Sequence, residues 1–331
     1  MAHRHVAALA GVLIAAASLA TLANARGTAH PLTPALDASL REWMSQFHVP
    51  AASGAIMDNG RLTSTFGFGG MDAAVPARIA SLSKAITAVC IANLVDAGRL
   101  SFTTPLGSVL ARTFARLGQP VDPRFRTITI EQLLRHRSGL PREALRGAPA
   151  RDLTGSFMNI LATPLADEPG AAMTYSNIGY ITLGMVVEAV AGSDYERYCR
   201  NASLAPMQAL GSIDPQLRQR APSGGWRISA IDYARFIQVF EPGSAGLGPQ
   251  ARQWQDALTG PRAYGLGIGI LRTEQGLLLT HSGRVALRER GGSYVIRFPN
   301  GVTAVTIFAG DPLRGATADF RRRLEAAIAG L

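Results

Sequence analysis

The chain carries its strand signals at its two ends and almost none between them. Near the start, Ala52–Met57 and Leu62–Phe68 read as strands around Asp58-Asn59-Gly60-Arg61, a tight-turn composition. Near the end, Gly267–Thr273 with Gly276–His281 reads as a second hairpin. Ser293–Phe298 with Val302–Ala309 reads as a third, around Pro299-Asn300-Gly301. Residues 99–220 are rich in Leu and Ala and read as helix and loop. Two amphipathic helices bracket the whole. In Leu36–His48 the residues Leu36, Leu40, Trp43, Met44 and Phe47 recur at helical spacing, and Ala316–Ile328 closes the chain. A lone hairpin is marginal in water, and a sheet's apolar face must be covered, so the two ends are expected to meet in one sheet. The expected fold class is α+β: an antiparallel sheet flanked by the terminal helices, with a helical subdomain inserted between its halves. Residues 26–331 then form a single domain, with the sheet part at about 30–80 and 223–331 and the helical part at about 81–222.

Residues 1–25 read as an export signal. Arg4, with His3 and His5, makes a short polar start, Val6–Ala23 is almost unbroken apolar sequence, and Ala23-Asn24-Ala25 fits the small-x-small cleavage pattern. The alternative is an uncleaved anchor, because about 18 apolar residues just span a bilayer. A cleaved leader implies a periplasmic or secreted protein. Cys90 and Cys199 are too few for a disulfide framework. Cys90 sits in the apolar run Ala85–Val95, so two separate buried thiols are expected, although an oxidising compartment leaves pairing open.

The formal charge is +10, with Arg scattered and densest at Arg321-Arg322-Arg323. Aromatics are not interleaved with these charges, so no nucleic-acid partner is expected. Association with an anionic cell envelope remains open, beside the plainer reading of an arginine-rich solvated surface. The histidines and cysteines show no metal-ligand spacing, so neither a metal nor any other cofactor is expected.

Of the 33 basic Lys and Arg residues, only Lys84 is a lysine. Arginine stays protonated in proteins, whereas a lysine in suitable surroundings loses its proton and serves as a base. A long helix is expected from about Ser81 to Ala97, ending at Gly98. Ser81 and Lys84 are three residues apart and share a helix face. A serine hydroxyl is a poor nucleophile until a neighbouring base takes its proton. The helix N-terminus disfavours a positive charge on Lys84, and burial pushes the same way. Two more polar groups interrupt apolar surroundings: Tyr175-Ser176-Asn177 in a helical region, and His281-Ser282-Gly283 at a strand end, where the small residues would let a substrate lie against the strand edge. Read singly, Tyr175 is also a packing tyrosine, Asn177 a helix cap and His281 a satisfied strand-end histidine.

Taken together, Ser81-Leu82-Ser83-Lys84, Tyr175-Ser176-Asn177 and His281-Ser282-Gly283 resemble, in order, the three motifs of the serine β-lactamase and penicillin-binding protein superfamily. The closer resemblance is to its class C-like branch: class C β-lactamases, D-Ala-D-Ala carboxypeptidases, D-amino-acid amidases and family VIII esterases. Leu133–Pro141 resembles the branch's "LLxHxSGLP" stretch, and Pro169-Gly170, Ser223-Gly224-Gly225-Trp226 and Tyr264-Gly265-Leu266-Gly267 fit as well. The likeness covers about residues 38–310. It implies a β-lactamase/transpeptidase-like fold and catalytic roles for three residues. Ser81 would be the acylated nucleophile, Lys84 the acceptor or relay of its proton, and Tyr175 a partner of that base and donor to the leaving group. Asn177 would orient Lys84 and bind substrate. His281 would line the site and hydrogen-bond near Tyr175, with Ser282 and Gly283 along the substrate. The backbone N–H groups of Ser81 and Arg284 would form an oxyanion hole. His136 is expected to be structural only.

The chain also departs from the branch. His281 stands where class C β-lactamases carry lysine, and a neutral histidine holds a substrate carboxylate less firmly; Arg284, Arg288 or Arg290 would have to supply that charge. The usual "PLGM" segment is degraded to Ala205-Pro206-Met207. The glycine-rich continuation of the third motif is replaced by Arg284-Val285-Ala286-Leu287. The leading expectation is an exported serine hydrolase working through an acyl-enzyme on Ser81, on D-Ala-type peptides, esters or amides. Its partner would be a small-molecule or peptidoglycan-type substrate. The alternatives are a class C-type β-lactamase and a penicillin-binding sensor or peptidoglycan-binding protein that acylates without turnover.

Overall fold

The structure, a computed structural model, describes residues 33–144, 149–286, 290–311 and 315–329. The expected leader at 1–25 and Arg288 lie outside the described residues.

The two ends of the chain do meet in one sheet. Its strands are β1 (Ala52–Asp58), β2 (Arg61–Phe68), β6 (Arg262–Gly265), β7 (Ile268–Thr273), β8 (Gly276–Ala286), β9 (Arg290–Arg297) and β10 (Val302–Ala309). Their order is β2-β1-β10-β9-β8-β7-β6, and every pairing is antiparallel. The join is β1 against β10, with Ala55 opposite Val305. The tight turn at Asn59-Gly60 works because both residues take positive φ, 45° and 79°.

Both faces of the central strands are covered, so these strands read as apolar runs rather than as clean alternation. In β10, Val302, Ala304 and Phe308 face the terminal helices Pro34–Gln46 and Ala316–Ala329, while Val305 and Ile307 face the helical side. Trp43 fastens the terminal helices together. Its ring lies 5.0 Å from Phe320, and its indole N–H donates to the Ala316 carbonyl at 2.8 Å. Fully burying side chains such as Leu40 and Phe320 contributes about 1.5–3 kcal/mol each.

On the opposite face lies the helix Ser83–Asp96, apolar on nearly every side and buried along almost its whole length, as such a composition requires. Asn177–Ala191 packs beside it, equally buried over its first eleven residues. No helix among the described residues is long and apolar enough to cross a membrane.

Three features differ from expectation. First, Ser81 does not open the α-helix. It sits in a 3₁₀ turn, Ala80–Leu82, that leads into it. Second, a small sheet of order β3-β5-β4 joins Ala77–Arg78 (β3), Trp226–Ile228 (β5) and Gly211–Ile213 (β4) across the chain. Strands of two and three residues are too short to show a period, so the stretch read as helix and loop conceals β4. Third, Cys90 and Cys199 form a disulfide instead of remaining separate thiols. Cys199 ends the helix Tyr195–Cys199, and packing of that helix against Ser83–Asp96 brings the two Cα atoms to 5.5 Å, the span that the bond needs. A sequence separation of 109 residues hid that proximity.

Candidate active site

The turn that carries Ser81 is held from four directions. Ile79 N–H donates to the Trp226 carbonyl at 3.1 Å, and Ser293 Oγ donates to the Ile79 carbonyl at 2.7 Å. The Tyr233 hydroxyl donates to the Leu82 carbonyl at 2.9 Å, and Trp226 N–H donates to Ser83 Oγ at 3.2 Å. These bonds over-determine the backbone. Ala80 takes a left-handed φ of 46°, which costs a non-glycine residue about 1–2 kcal/mol. The strained residue immediately precedes Ser81 and aims it into a cleft of about 1350 Å3.

Lys84 lies one turn further on and is fully buried. Its Nζ is 2.7 Å from Asn177 Oδ1, 2.7 Å from the Ser223 carbonyl and 3.3 Å from Ser81 Oγ. Burial, chiefly, pushes its pKa well below the usual lysine value; the charges of Arg220 and Arg142 add to that, and Glu143 opposes them. A neutral amine has two N–H donors and one lone pair. Asn177 Oδ1 and the Ser223 carbonyl are acceptors and take the two donors at short range. In the neutral form of the amine the lone pair would face Ser81 Oγ, the remaining partner at 3.3 Å.

Tyr175 stands just outside the helix Asn177–Ala191, whose N-cap is Ser176: Ser176 Oγ accepts from Gly179 N–H at 3.0 Å. Ser81 lies close enough to the Tyr175 hydroxyl to hold its pKa down against the larger effect of burial, and Lys84 Nζ lies 4.9 Å from the centre of the Tyr175 ring. Burial raises the Tyr175 pKa, so the phenol keeps its proton. Its ring rests on His136 at 4.3 Å, and His136 Nδ1 accepts from Ser176 N–H at 3.1 Å. Burial drives the His136 pKa down to about 2, so this neutral ring acts as a support.

Asn177 joins two groups. Its Oδ1 takes Lys84, and its Nδ2 donates to Glu143 Oε1. His281 lines the cleft, and its hydrogen-bond partner is Tyr264, beside Tyr175. Its Nε2 is 2.9 Å from the Tyr264 hydroxyl, its ring is 6.2 Å from the Tyr175 ring, and burial holds its pKa down at about 3. Gly283 also has another reason to be small. A Cβ there would lie 2.5 Å from Ser293 Oγ and 2.6 Å from the Ile79 carbonyl, so glycine lets the nucleophile's turn sit on β8. The free strand edge arises from pairing. The β7 ladder ends at Gly269–Thr280, and His281–Ala286 is paired with β9 alone. Ser282 and Arg284 lie on that stretch and line the cleft. Arg284 is not a free charge: it contacts Asp311 at 2.9 and 3.0 Å, and Arg290 contacts the same carboxylate at 2.9 Å.

Sequence motifs and a full-length match agree here. The Beta-lactamase family model matches residues 36–329. The chain belongs to the Beta-lactamase family. It is 28% identical over 184 residues to Protein flp of Staphylococcus aureus, a match that covers 52% of this chain and 36% of that protein. It is 30% identical over 233 residues to Penicillin-binding protein 4 of Amycolatopsis lactamdurans, covering 59% and 60%. The chain thus spans about a third to three fifths of the length of these curated relatives. The D-amino acid amidase of Ochrobactrum anthropi SV3 superposes with a TM-score of 0.72 at 20% identity, over 89% of this chain and all of that one. The D-alanine carboxypeptidase AmpC of Burkholderia cenocepacia superposes with a TM-score of 0.71 at 17% identity, over 88% and 98%.

Three residues of this family member's site were absent from the sequence reading: Arg142, Glu143 and Arg220 line the cleft, together with Ser223 and Tyr264, which belong to the family-like stretches. Arg142 and Glu143 follow the "LLxHxSGLP"-like stretch directly, the one signal that pointed toward them. Among the described residues no cluster of His, Cys, Asp and Glu is arranged to hold a metal ion.

Proposed function

We propose that the chain is an exported serine hydrolase that forms an acyl-enzyme on Ser81, with D-Ala-type peptides, esters or amides as substrates. The observation that carries the reading is the Lys84 amine, buried and held by two acceptors with its lone pair toward Ser81 Oγ. Lys84 takes the Ser81 proton as Oγ adds to the substrate carbonyl. Tyr175, kept protonated by burial, gives its proton to the leaving oxygen or nitrogen. The proton held by Lys84 then restores Tyr175. Deacylation runs the same steps in reverse, with water in place of the leaving group. The N–H groups of Ser81 and Arg284 would hold the oxyanion.

The neutral His281 and the Asp311-bound Arg284 favour uncharged esters and amides over substrates that present a carboxylate there, β-lactams included. Export rests on the expected leader, and the Cys90–Cys199 disulfide suits an oxidising compartment. A peptidoglycan-type substrate and attraction to anionic envelope polymers would follow from that location.

The test is intact mass after incubation with benzylpenicillin, and release of nitrophenolate from p-nitrophenyl acetate, each beside a Ser81→Ala control. An adduct or turnover that needs Ser81 supports the reading. A lasting penicillin adduct points to a penicillin-binding peptidase or sensor, and loss of penicillin in solution points to a β-lactamase. Wild type equal to Ser81→Ala with both reagents sinks the reading.

A further inference from the structure

The two acceptors that orient Lys84 are themselves tied to one surface ion pair. Glu143 accepts from Asn177 Nδ2, which fixes the amide with Oδ1 toward Lys84. Arg220 contacts the same carboxylate at 3.4 and 3.5 Å. The Arg220 carbonyl accepts from Ser223 Oγ at 3.2 Å, and the Ser223 carbonyl is the second acceptor of Lys84. A ring therefore closes: Lys84, Asn177, Glu143, Arg220, the turn to Ser223, and back to Lys84. Four separate chain segments supply it, at 84, at 143, at 177 and at 220–223.

We propose that Glu143 and Arg220 are positioning residues that hold the Lys84 lone pair on Ser81 and set the pH at which that lone pair becomes available. The inference rests on the reading of Lys84 as the base. Geometry carries it. Without Glu143, the amide of Asn177 is free to turn its NH2 toward Lys84, where two donors would face each other. Charge follows from the same placement. The carboxylate of Glu143 favours the ammonium form of Lys84, and the guanidinium of Arg220 disfavours it.

The other groups around Lys84 are fixed in charge near neutral pH. Arg142, from the segment that carries Glu143, is cationic and acts in the same direction as Arg220. His136 and His281 are buried and neutral, with burial the chief cause of their lowered pKa values. Tyr175 and Tyr180, with ring centres 4.9 and 5.6 Å from Nζ, are protonated. Glu143 and Arg220 are therefore an opposed pair that can be neutralised singly. Both are half-exposed, so the effect is screened and modest.

The experiment is kcat/KM for p-nitrophenyl acetate across pH, with Ser81→Ala as the blank and a thermal melt for each variant. Glu143→Gln keeps an acceptor for Asn177 and removes the charge. Its acid limb should move to lower pH, with a rate about threefold higher on the acid side. Arg220→Gln should move the limb the opposite way, and the double variant should return close to wild type. Glu143→Ala should lose about tenfold in plateau rate, restored by Gln. A purely structural pair would lower the plateau and melting temperature without separating the midpoints. Midpoints that stay put, or that move in the same direction, overturn the proposal, as does a Gln variant no better than Ala. If Glu143→Ala fails to fold, Arg220→Gln still decides the sign. Wild-type activity no higher than the Ser81→Ala blank would instead overturn the reading of Ser81 and Lys84, which separates the two failures.

Discussion

Lys84 Nζ and Asn177 Oδ1 lie 2.7 Å apart between two buried helices, and 93 residues of chain separate them. The contact orients the amine. In its neutral form this contact and the Ser223 carbonyl would use both N–H groups and leave the lone pair for Ser81.

Lys84→Arg should therefore be nearly as inactive as Lys84→Ala, since a guanidinium keeps its charge and has no lone pair to offer. Either substitution should lower the rate of Ser81 acylation by about 10²–10⁴, and Tyr175→Phe should fall in the same range. Time-resolved intact mass with benzylpenicillin, or nitrophenolate release, checks this. Arginine at 84 with near wild-type acylation would remove lysine as the base.

Gly283→Ala places a methyl group 2.5 Å from Ser293 Oγ, 2.6 Å from the Ile79 carbonyl and 3.0 Å from Ala80 Cβ. The turn carrying Ser81, or strand β9, must shift. The expected loss of stability is about 1–3 kcal/mol, with a fall in acylation rate in the protein that remains folded. Calorimetry and active-site titration on one sample read both effects. Unchanged acylation would mean that the turn does not depend on its seat on β8.

Acid should weaken the fold well above the carboxylate range. His136 and His281 are neutral in the folded chain, with pKa values pushed down to about 2 and about 3 from 6.5. The unfolded chain takes up both protons near 6.5. Their contribution is therefore complete above 6.5 and is lost as pH falls from there toward about 3. Lys84, lowered from 10.5, has the same sign in the alkaline range: stability rises with pH until 10.5 is reached. Urea melts between pH 4 and 9 should show a rising slope from 4.5 to 6.5, reduced in His281→Gln. A flat profile there would mean that the two rings are charged or exposed.

Removing the covalent link by the double substitution Cys90→Ala and Cys199→Ala should cost about 2–5 kcal/mol, given the long loop that it closes. Reductant should lower the melting temperature of wild type and leave the double variant unmoved. Equal melting temperatures with and without reductant would show that the thiols are not joined.

The outer shell of the fold was legible because its causes are local. Helical spacing in Pro34–Gln46, the Asn59-Gly60 turn and apolar runs in β9 and β10 follow from periodicity and turn chemistry within a few residues. The closeness of Ser81 and Lys84 was legible for the same reason, since residues three apart on a helical path share a face. The sole lysine in an arginine-rich chain marked that pair. Glu143, Arg220 and the Ser223 carbonyl were not legible. Each acts through a partner tens of residues to more than a hundred residues away, and nothing near them in the chain states that distance. The same holds for Cys90 and Cys199, for Arg284 against Asp311, and for the partner that His281 takes in Tyr264. Local pattern determines which segments become helix or strand and which residue pairs can cooperate along one segment. Packing of segments brought from both ends and the middle of the chain decides burial, and burial decides that the Lys84 pKa falls well below the usual lysine value.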